Sequence, residues 1–247
     1  MKVGRVRGFD VFQELELKKL YVDKDIVLLV SSRAGDDDLP NALRGERNAA
    51  LATLLLKSGP GRPAGSQAGT RSAVGRVELI AGFLGKPELL IEGKRGPSVS
   101  FSHAVDSTWA ALCPSGPSVG VDATDPGEFV GSYPFHRVFH AEELRLAAGA
   151  TAGDRSDAAA LLWSAKEAVV KALGCGFHLI APLDVSILPR DSSGWVTRAA
   201  IGFSETTLAR FQALREATVR VVSLRESKAW VSTALSSWTV APKTNPR

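Results

Sequence analysis

The chain has 247 residues, 45% hydrophobic and 23% charged, and a formal net charge of +4 from 30 Lys and Arg against 26 Asp and Glu. These are the proportions of a soluble globular protein long enough to bury a core without staples. No Lys/Arg run marks a nucleic-acid arm, and no stretch approaches the roughly 20 apolar residues of a membrane-spanning helix. The opening residues lack a signal-peptide core. Cys113 and Cys175 sit outside any CxxC pair, which argues against a disulfide framework or structural zinc. A cytoplasmic protein with reduced thiols is expected, and its mild basic excess suits an acidic partner or a phosphorylated ligand.

In chain order, Ile26-Val27-Leu28-Leu29-Val30, bounded by Asp25 and Ser31-Ser32, reads as a buried strand. After an acidic turn at 36–40, Asn41 is placed to cap a helix reaching about residue 57. Leu43, Ala50, Leu51, Leu54 and Leu55 share one side of it, with Arg44, Glu46 and Arg47 elsewhere. Gly59 and Pro60 stop that helix, and the Gly-, Ser-, Pro- and Arg-rich segment 58–75 is expected to be a mobile loop. Residues 77–80, 98–101 and 108–112 read as strands, the last two paired around a turn at 104–107. The break at 114–117 is followed by a strand at 119–122. A helix is predicted from about 156 to 173, stopped by Gly174. Four strand-like runs follow at 183–188, 195–203, 217–224 and 229–235, and the tail 240–247 is expected to fray. Each half has a prominent helix and several strands without strict alternation, an α+β pattern. The division falls into an N-terminal half, 1–117, and a C-terminal half, 118–239.

Three stretches carry chemistry: Phe101-Ser102-His103, Gly120-Val121-Asp122-Ala123-Thr124, and Trp163-Ser164-Ala165-Lys166-Glu167-Ala168-Val169-Val170-Lys171-Ala172-Leu173-Gly174. On a helix Trp163, Glu167 and Lys171 share a face. Taken alone, Glu167 and Lys171 read first as a surface ion pair. Asp122 ends an apolar strand, where a carboxylate suits a hard cation such as Mg2+ or, more blandly, caps a turn. His103 reads as a structural histidine or as a donor to a phosphate oxygen.

In order and spacing, these stretches together resemble the surfactin-synthetase-type (Sfp-type) family of 4′-phosphopantetheinyl transferases. That family has a Ser-His after a strand, a Gly-(Val/Ile)-Asp-x-Glu, and a Trp-(Ser/Thr)-x-Lys-Glu-(Ala/Ser)-x-x-Lys-x-x-Gly helix. The third motif matches at every specified position from Trp163 to Gly174. Gly85-Lys86-Pro87 is similar to a further family element, and Phe139-His140-Ala141-Glu142-Glu143 approximates another. The resemblance covers roughly residues 77–188.

The resemblance implies a 4′-phosphopantetheinyl transferase fold, a pseudo-twofold pair of similar α+β halves with the active site between them. It implies Mg2+ and, as co-substrate, coenzyme A, whose phosphopantetheine arm passes to a serine of an apo acyl or peptidyl carrier protein. Asp122 and Glu167 would hold the metal, with Thr124 in the place of the family's second acid. Glu167 would also be the base, and Lys171 would offset charge on the pyrophosphate. His103, Ser102, Lys86 and Lys166 would contact the cofactor. Arg44, Arg47 and Arg62 are candidates for its 3′-phosphate by charge alone. A monomer without nucleic-acid or membrane partners is expected. Threonine at 124 leaves room for a rival, a binding module that grips coenzyme A without turnover. A second rival is a phosphate-ester hydrolase built on Asp122, His103 and Glu167.

Overall fold

The computed structural model describes residues 15–22, 25–33, 41–59, 75–104, 107–193 and 196–240. The acidic turn at 36–40, most of the predicted loop at 58–75 with Arg62, and the tail beyond residue 240 lie outside them. β1 (Leu15–Val22) and β2 (Asp25–Arg33) form an antiparallel hairpin, followed by α1 (Asn41–Ser58). β3 (Val77–Ala81), β4 (Pro87–Ile91) and β5 (Lys94–Arg95) make a small sheet. β6 (Ser98–Ala104) and β7 (Ser107–Cys113) then return to β2, giving the order β1-β2-β7-β6. The rest of the chain runs through β8 (Ser118–Thr124), α2 (Ala141–Ala150), α3 (Arg155–Leu173), β9 (Val185–Ser193), β10 (Val196–Phe203), α4 (Glu205–Arg210), β11 (Val219–Arg225) and β12 (Trp230–Ser236). Its sheet has the order β8-β12-β11-β10-β9.

The same path is traced twice. β2-α1-β6-β7 and β8-α3-β11-β12 are each a strand, a helix and a hairpin whose second strand lies against the first. The architecture is α+β, as the sequence pattern predicts.

Burial explains the layering. Leu51, Ala52 and Leu55 of α1 cover one face of the first sheet at Leu28, Val30, Ala110 and Leu112. The other face, with Val27, Leu29, Trp109 and Ala111, meets Val119, Val121, Val231 and Leu235 of the second sheet. α3 covers the outer face of that second sheet. Strands enclosed on both faces carry near-continuous apolar runs rather than alternation, which is why residues 26–30 and 119–121 read so clearly.

The two sheets are stitched along β6 and β8. Val119, Val121 and Ala123 donate their backbone N–H groups to the hydroxyls of Ser98, Ser100 and Ser102, at 2.9, 3.0 and 3.1 Å. Alternate positions on a strand share a face, so three serines spaced by two form one row. They satisfy the N–H groups that β8 would otherwise leave buried and unpaired on its free edge.

Several features depart from the sequence reading. β1, β4, β5, α2 and α4 were not expected, and Arg47 is 4% exposed, on the buried side of α1 one turn before Leu51. No described helix is long and apolar enough to cross a membrane.

Candidate active site

Gly120 sets the geometry of the site. A Cβ there would lie 2.0 Å from the Ala168 carbonyl oxygen and 2.5 Å from the Ala172 nitrogen, so only glycine lets α3 rest directly on β8. The helix ends where that contact needs it to. Gly174 adopts a left-handed φ of 79° and donates its N–H back into the last turn, as a glycine beyond a helix end does. Lys171, in that last turn, is thereby held over Asp122 in β8.

Asp122 is 6% exposed and both of its oxygens accept hydrogen bonds. Oδ1 accepts from Ser102 Oγ at 2.9 Å and from Lys171 Nζ at 2.6 Å, while Oδ2 accepts from Thr124 Oγ1 at 2.9 Å. Lys171 Nζ also lies 3.6 Å from Glu167 Oε2, one turn earlier on α3. The carboxylates of Asp122 and Glu167 therefore share one cationic atom from two different elements. Burial raises the Glu167 pKa; Lys171 works against that shift, and Asp122 and Glu128 add to it. Glu128, in the turn of 3-10 helix Pro126–Phe129 just after β8, is raised by burial and in part by Asp122. The sequence reading missed Glu128, and its place three residues after Asp125 in a capping turn was the available signal.

A metal fits this donor set in one way. Among the described residues no group of three or more His, Cys, Asp or Glu could hold an ion. The protein offers two carboxylates around a position already taken by an ammonium, a stand-in for positive charge. Mg2+ tolerates so few protein ligands when phosphates and waters complete its shell.

Beside the acidic pair the chain turns basic. Arg47 donates through Nη1 to Thr108 Oγ1 at 3.2 Å, and Thr108 is the cross-strand neighbour of His103. Among the described residues the Nε of this buried guanidinium has no partner. Partial burial pulls the His103 pKa down, and Arg44, Arg47 and Lys171 pull it further, although the residue as a whole is exposed. Three like charges, those of Arg44, Arg47 and Lys171, gathered around one imidazole make a seat for an anion. A cleft of about 350 Å³ adjoins it, lined by Asn48 of α1, Phe101 of β6, Lys171 of α3, Gly174 just beyond it, and Lys86.

Several predicted cofactor contacts are placed differently. Lys166 is fully buried and gives its three donors to Glu143 Oε2, the Val138 carbonyl and the Pro182 carbonyl, at 3.0, 2.9 and 2.8 Å. No donor remains for a ligand. Glu143, its partner, also accepts from the His140 and Ile187 N–H groups. Lys86 lines the cleft, but its ammonium points at Ser118 Oγ and the Ala172 carbonyl, closing the C-terminal end of α3. Burial pushes its pKa down to about 8. Ser102 is 4% exposed and faces Asp122 rather than open space. Trp163 packs its ring near Phe139 and Phe177.

A carboxylate pair bridged by a lysine thus stands next to a basic wall and a cleft. Residues 118–230 match the model of the 4′-phosphopantetheinyl transferase superfamily (ACPS). That segment holds Asp122, Thr124, Lys166, Glu167 and Lys171, whereas His103, Lys86 and the arginines lie outside it. No curated protein matches the chain. Among solved structures, the ACPS–CoA complex of Chronobacterium ammoniagenes is 23% identical over 49% of this chain and 97% of its own, with a TM-score of 0.41. An apo-ACPS structure is 22% identical over 49% of this chain and 95% of its own, with a TM-score of 0.39.

Proposed function

We propose that the chain is an Sfp-type 4′-phosphopantetheinyl transferase, moving the phosphopantetheine arm of coenzyme A to a serine of an apo acyl or peptidyl carrier protein with release of 3′,5′-ADP. One observation carries the reading: within the segment that matches the superfamily, Asp122 from a strand and Glu167 from a helix converge on Lys171 Nζ. The halves 1–117 and 118–239 would supply the cofactor contacts and the metal site respectively. One monomer would suffice, in the cytoplasm.

In this reaction the carrier's serine oxygen bonds to the β-phosphorus and the bridging P–O bond to 3′,5′-ADP breaks. Such displacements need positioning and charge neutralisation more than covalent help. Mg2+, held by Asp122 and Glu167, would supply charge neutralisation at the pyrophosphate. Lys171 would give its ammonium to the same oxygens from a partly dry position. Glu167, raised by burial, suits the role of accepting the serine proton directly or through water. Arg47, Arg44 and His103 would grip the 3′-phosphate, the dianion best matched to their charge.

Incubation with an apo carrier protein, coenzyme A and Mg2+, followed by intact mass spectrometry, tests the reading. A gain of one phosphopantetheinyl group is expected, lost in Asp122→Ala and Glu167→Ala. No gain with retained coenzyme A binding would leave a binding module. Phosphate release from simple esters would indicate a hydrolase.

A further inference from the structure

We propose that Ser102 is a positioning residue of the metal site, holding Asp122 from the opposite half of the molecule, and not a cofactor contact; the inference rests on the reading of Asp122 as a metal ligand. The row Ser98, Ser100, Ser102 is chemically uniform on one side. Each hydroxyl accepts one β8 N–H, from Val119, Val121 and Ala123. A serine hydroxyl has one proton to give, and among the described residues only Ser102 of the row gives it to a carboxylate, Asp122 Oδ1 at 2.9 Å. With the Ala123 N–H accepted and the proton donated, Ser102 is enclosed and has little left for a ligand.

The consequence is directional. Oδ1 is held by Ser102 and Lys171, and Oδ2 by Thr124. Lys171 sits on a long, flexible stem that can leave when a divalent cation arrives, whereas Ser102 and Thr124 are short and fixed to strands. After that exchange the orientation of Asp122 depends on one hydroxyl per oxygen. Thr124 comes from the same strand as Asp122, but Ser102 comes from β6, so the seam between the sheets sets the attitude of the carboxylate. Partners that orient a metal ligand in this way typically govern affinity by ten- to a hundredfold.

The row provides its own control. Ser100→Ala removes the same seam bond as Ser102→Ala without touching Asp122. Mn2+ is titrated into the full chain in the presence of coenzyme A, with free ion read by electron paramagnetic resonance. Ser102→Ala is expected to weaken Mn2+ binding about tenfold or more and Ser100→Ala by less than about twofold. Ser102→Thr, which keeps the hydroxyl, should restore binding. Ser102→Cys, of similar size but a poor donor, should fall with Ser102→Ala and stands in for it should the alanine variant not fold. Equal affinities for the Ser100 and Ser102 variants, in either direction, would overturn the inference while leaving the transferase reading intact. A wild-type chain that binds no Mn2+ would overturn both.

Discussion

Lys171 Nζ and Asp122 Oδ1 lie 2.6 Å apart, joining the last turn of α3 to the strand beneath it, and the same ammonium is 3.6 Å from Glu167. A lysine thus occupies the ground on which a divalent cation would stand. Removing it should separate two effects. Lys171→Met is expected to tighten Mn2+ binding in the absence of coenzyme A by about tenfold, or about 1.4 kcal/mol, because no resident charge must be displaced. Carrier-protein conversion by the same variant should fall, because the pyrophosphate loses a fixed positive charge. Unchanged Mn2+ affinity would mean that the lysine and the ion use different space.

Gly120 offers a test of the packing that makes this pair possible. A methyl group there would sit 2.0 Å from the Ala168 carbonyl, which is backbone and cannot swing aside. Gly120→Ala should lift α3 from β8 and cost roughly 1–3 kcal/mol in denaturant unfolding, the usual range for overpacking. Activity should fall more steeply than stability, since Lys171 and Glu167 ride on the displaced helix. Equal stability and activity to wild type would show the close approach to be adjustable.

How much of this was legible depends on the range of the interaction. β8 and α3 were readable because an apolar run ending in Asp122 and a motif ending in Gly174 are local patterns. The sharing of a face by Glu167 and Lys171 followed from a spacing of four. β1 was hidden because Glu16, Lys18 and Lys19 interrupt its apolar residues, and Lys18, besides Glu16 on its own strand, pairs with Glu226 across the sheets. α2 begins after His140, a weak capping signal, although the histidine N–H is satisfied by Glu143. The use of Ser102 and the closure of α3 by Lys86 depend on which strands meet, which no short window encodes. Arg47 could have been found, because it precedes Leu51 and Leu55 at intervals of four on the face that α1 buries.

Arg47 also yields a prediction. Its Nε is buried with no partner among the described residues and burial lowers its pKa, a cost that an anion would relieve. Arg47→Met should leave stability unchanged or raise it while narrowing the preference for coenzyme A over 3′-dephospho-coenzyme A. A drop in KM ratio of about tenfold fits the loss of one charge-assisted contact. An unaltered ratio would move the 3′-phosphate elsewhere.

The pair Lys166–Glu143 should behave as structure rather than catalysis. Both side chains are almost wholly enclosed, 0% and 1% exposed, at 3.0 Å. Lys166→Met leaves a buried carboxylate without its counter-charge and should cost roughly 3–5 kcal/mol. Adding Glu143→Gln should return a good part of that loss, as it removes the stranded charge while keeping an acceptor for the His140 or Ile187 N–H. Lys166 acting on the cofactor would instead show as a KM change with stability kept.

Lys86 makes a pH-dependent prediction whose sign is set by burial. Its pKa is about 8 in the folded protein against an ordinary 10.5, so between those values the unfolded chain binds more protons. Stability therefore rises with pH through that window relative to a variant lacking the amine. Below pH 8 the ammonium is present in both states and its burial cost is felt in full; by pH 10.5 the folded form has long been neutral. Comparing wild type with Lys86→Met in denaturant melts at pH 7.5 and pH 9.5 cancels the titrations common to both, leaving Lys86 and its coupling to the Cys175 thiol. The difference should move in favour of wild type by about 1 kcal/mol or more as pH rises. A difference that stays flat would mean that the bonds to Ser118 and the Ala172 carbonyl fully compensate the charge, and that Lys86 remains an ordinary lysine closing the end of α3.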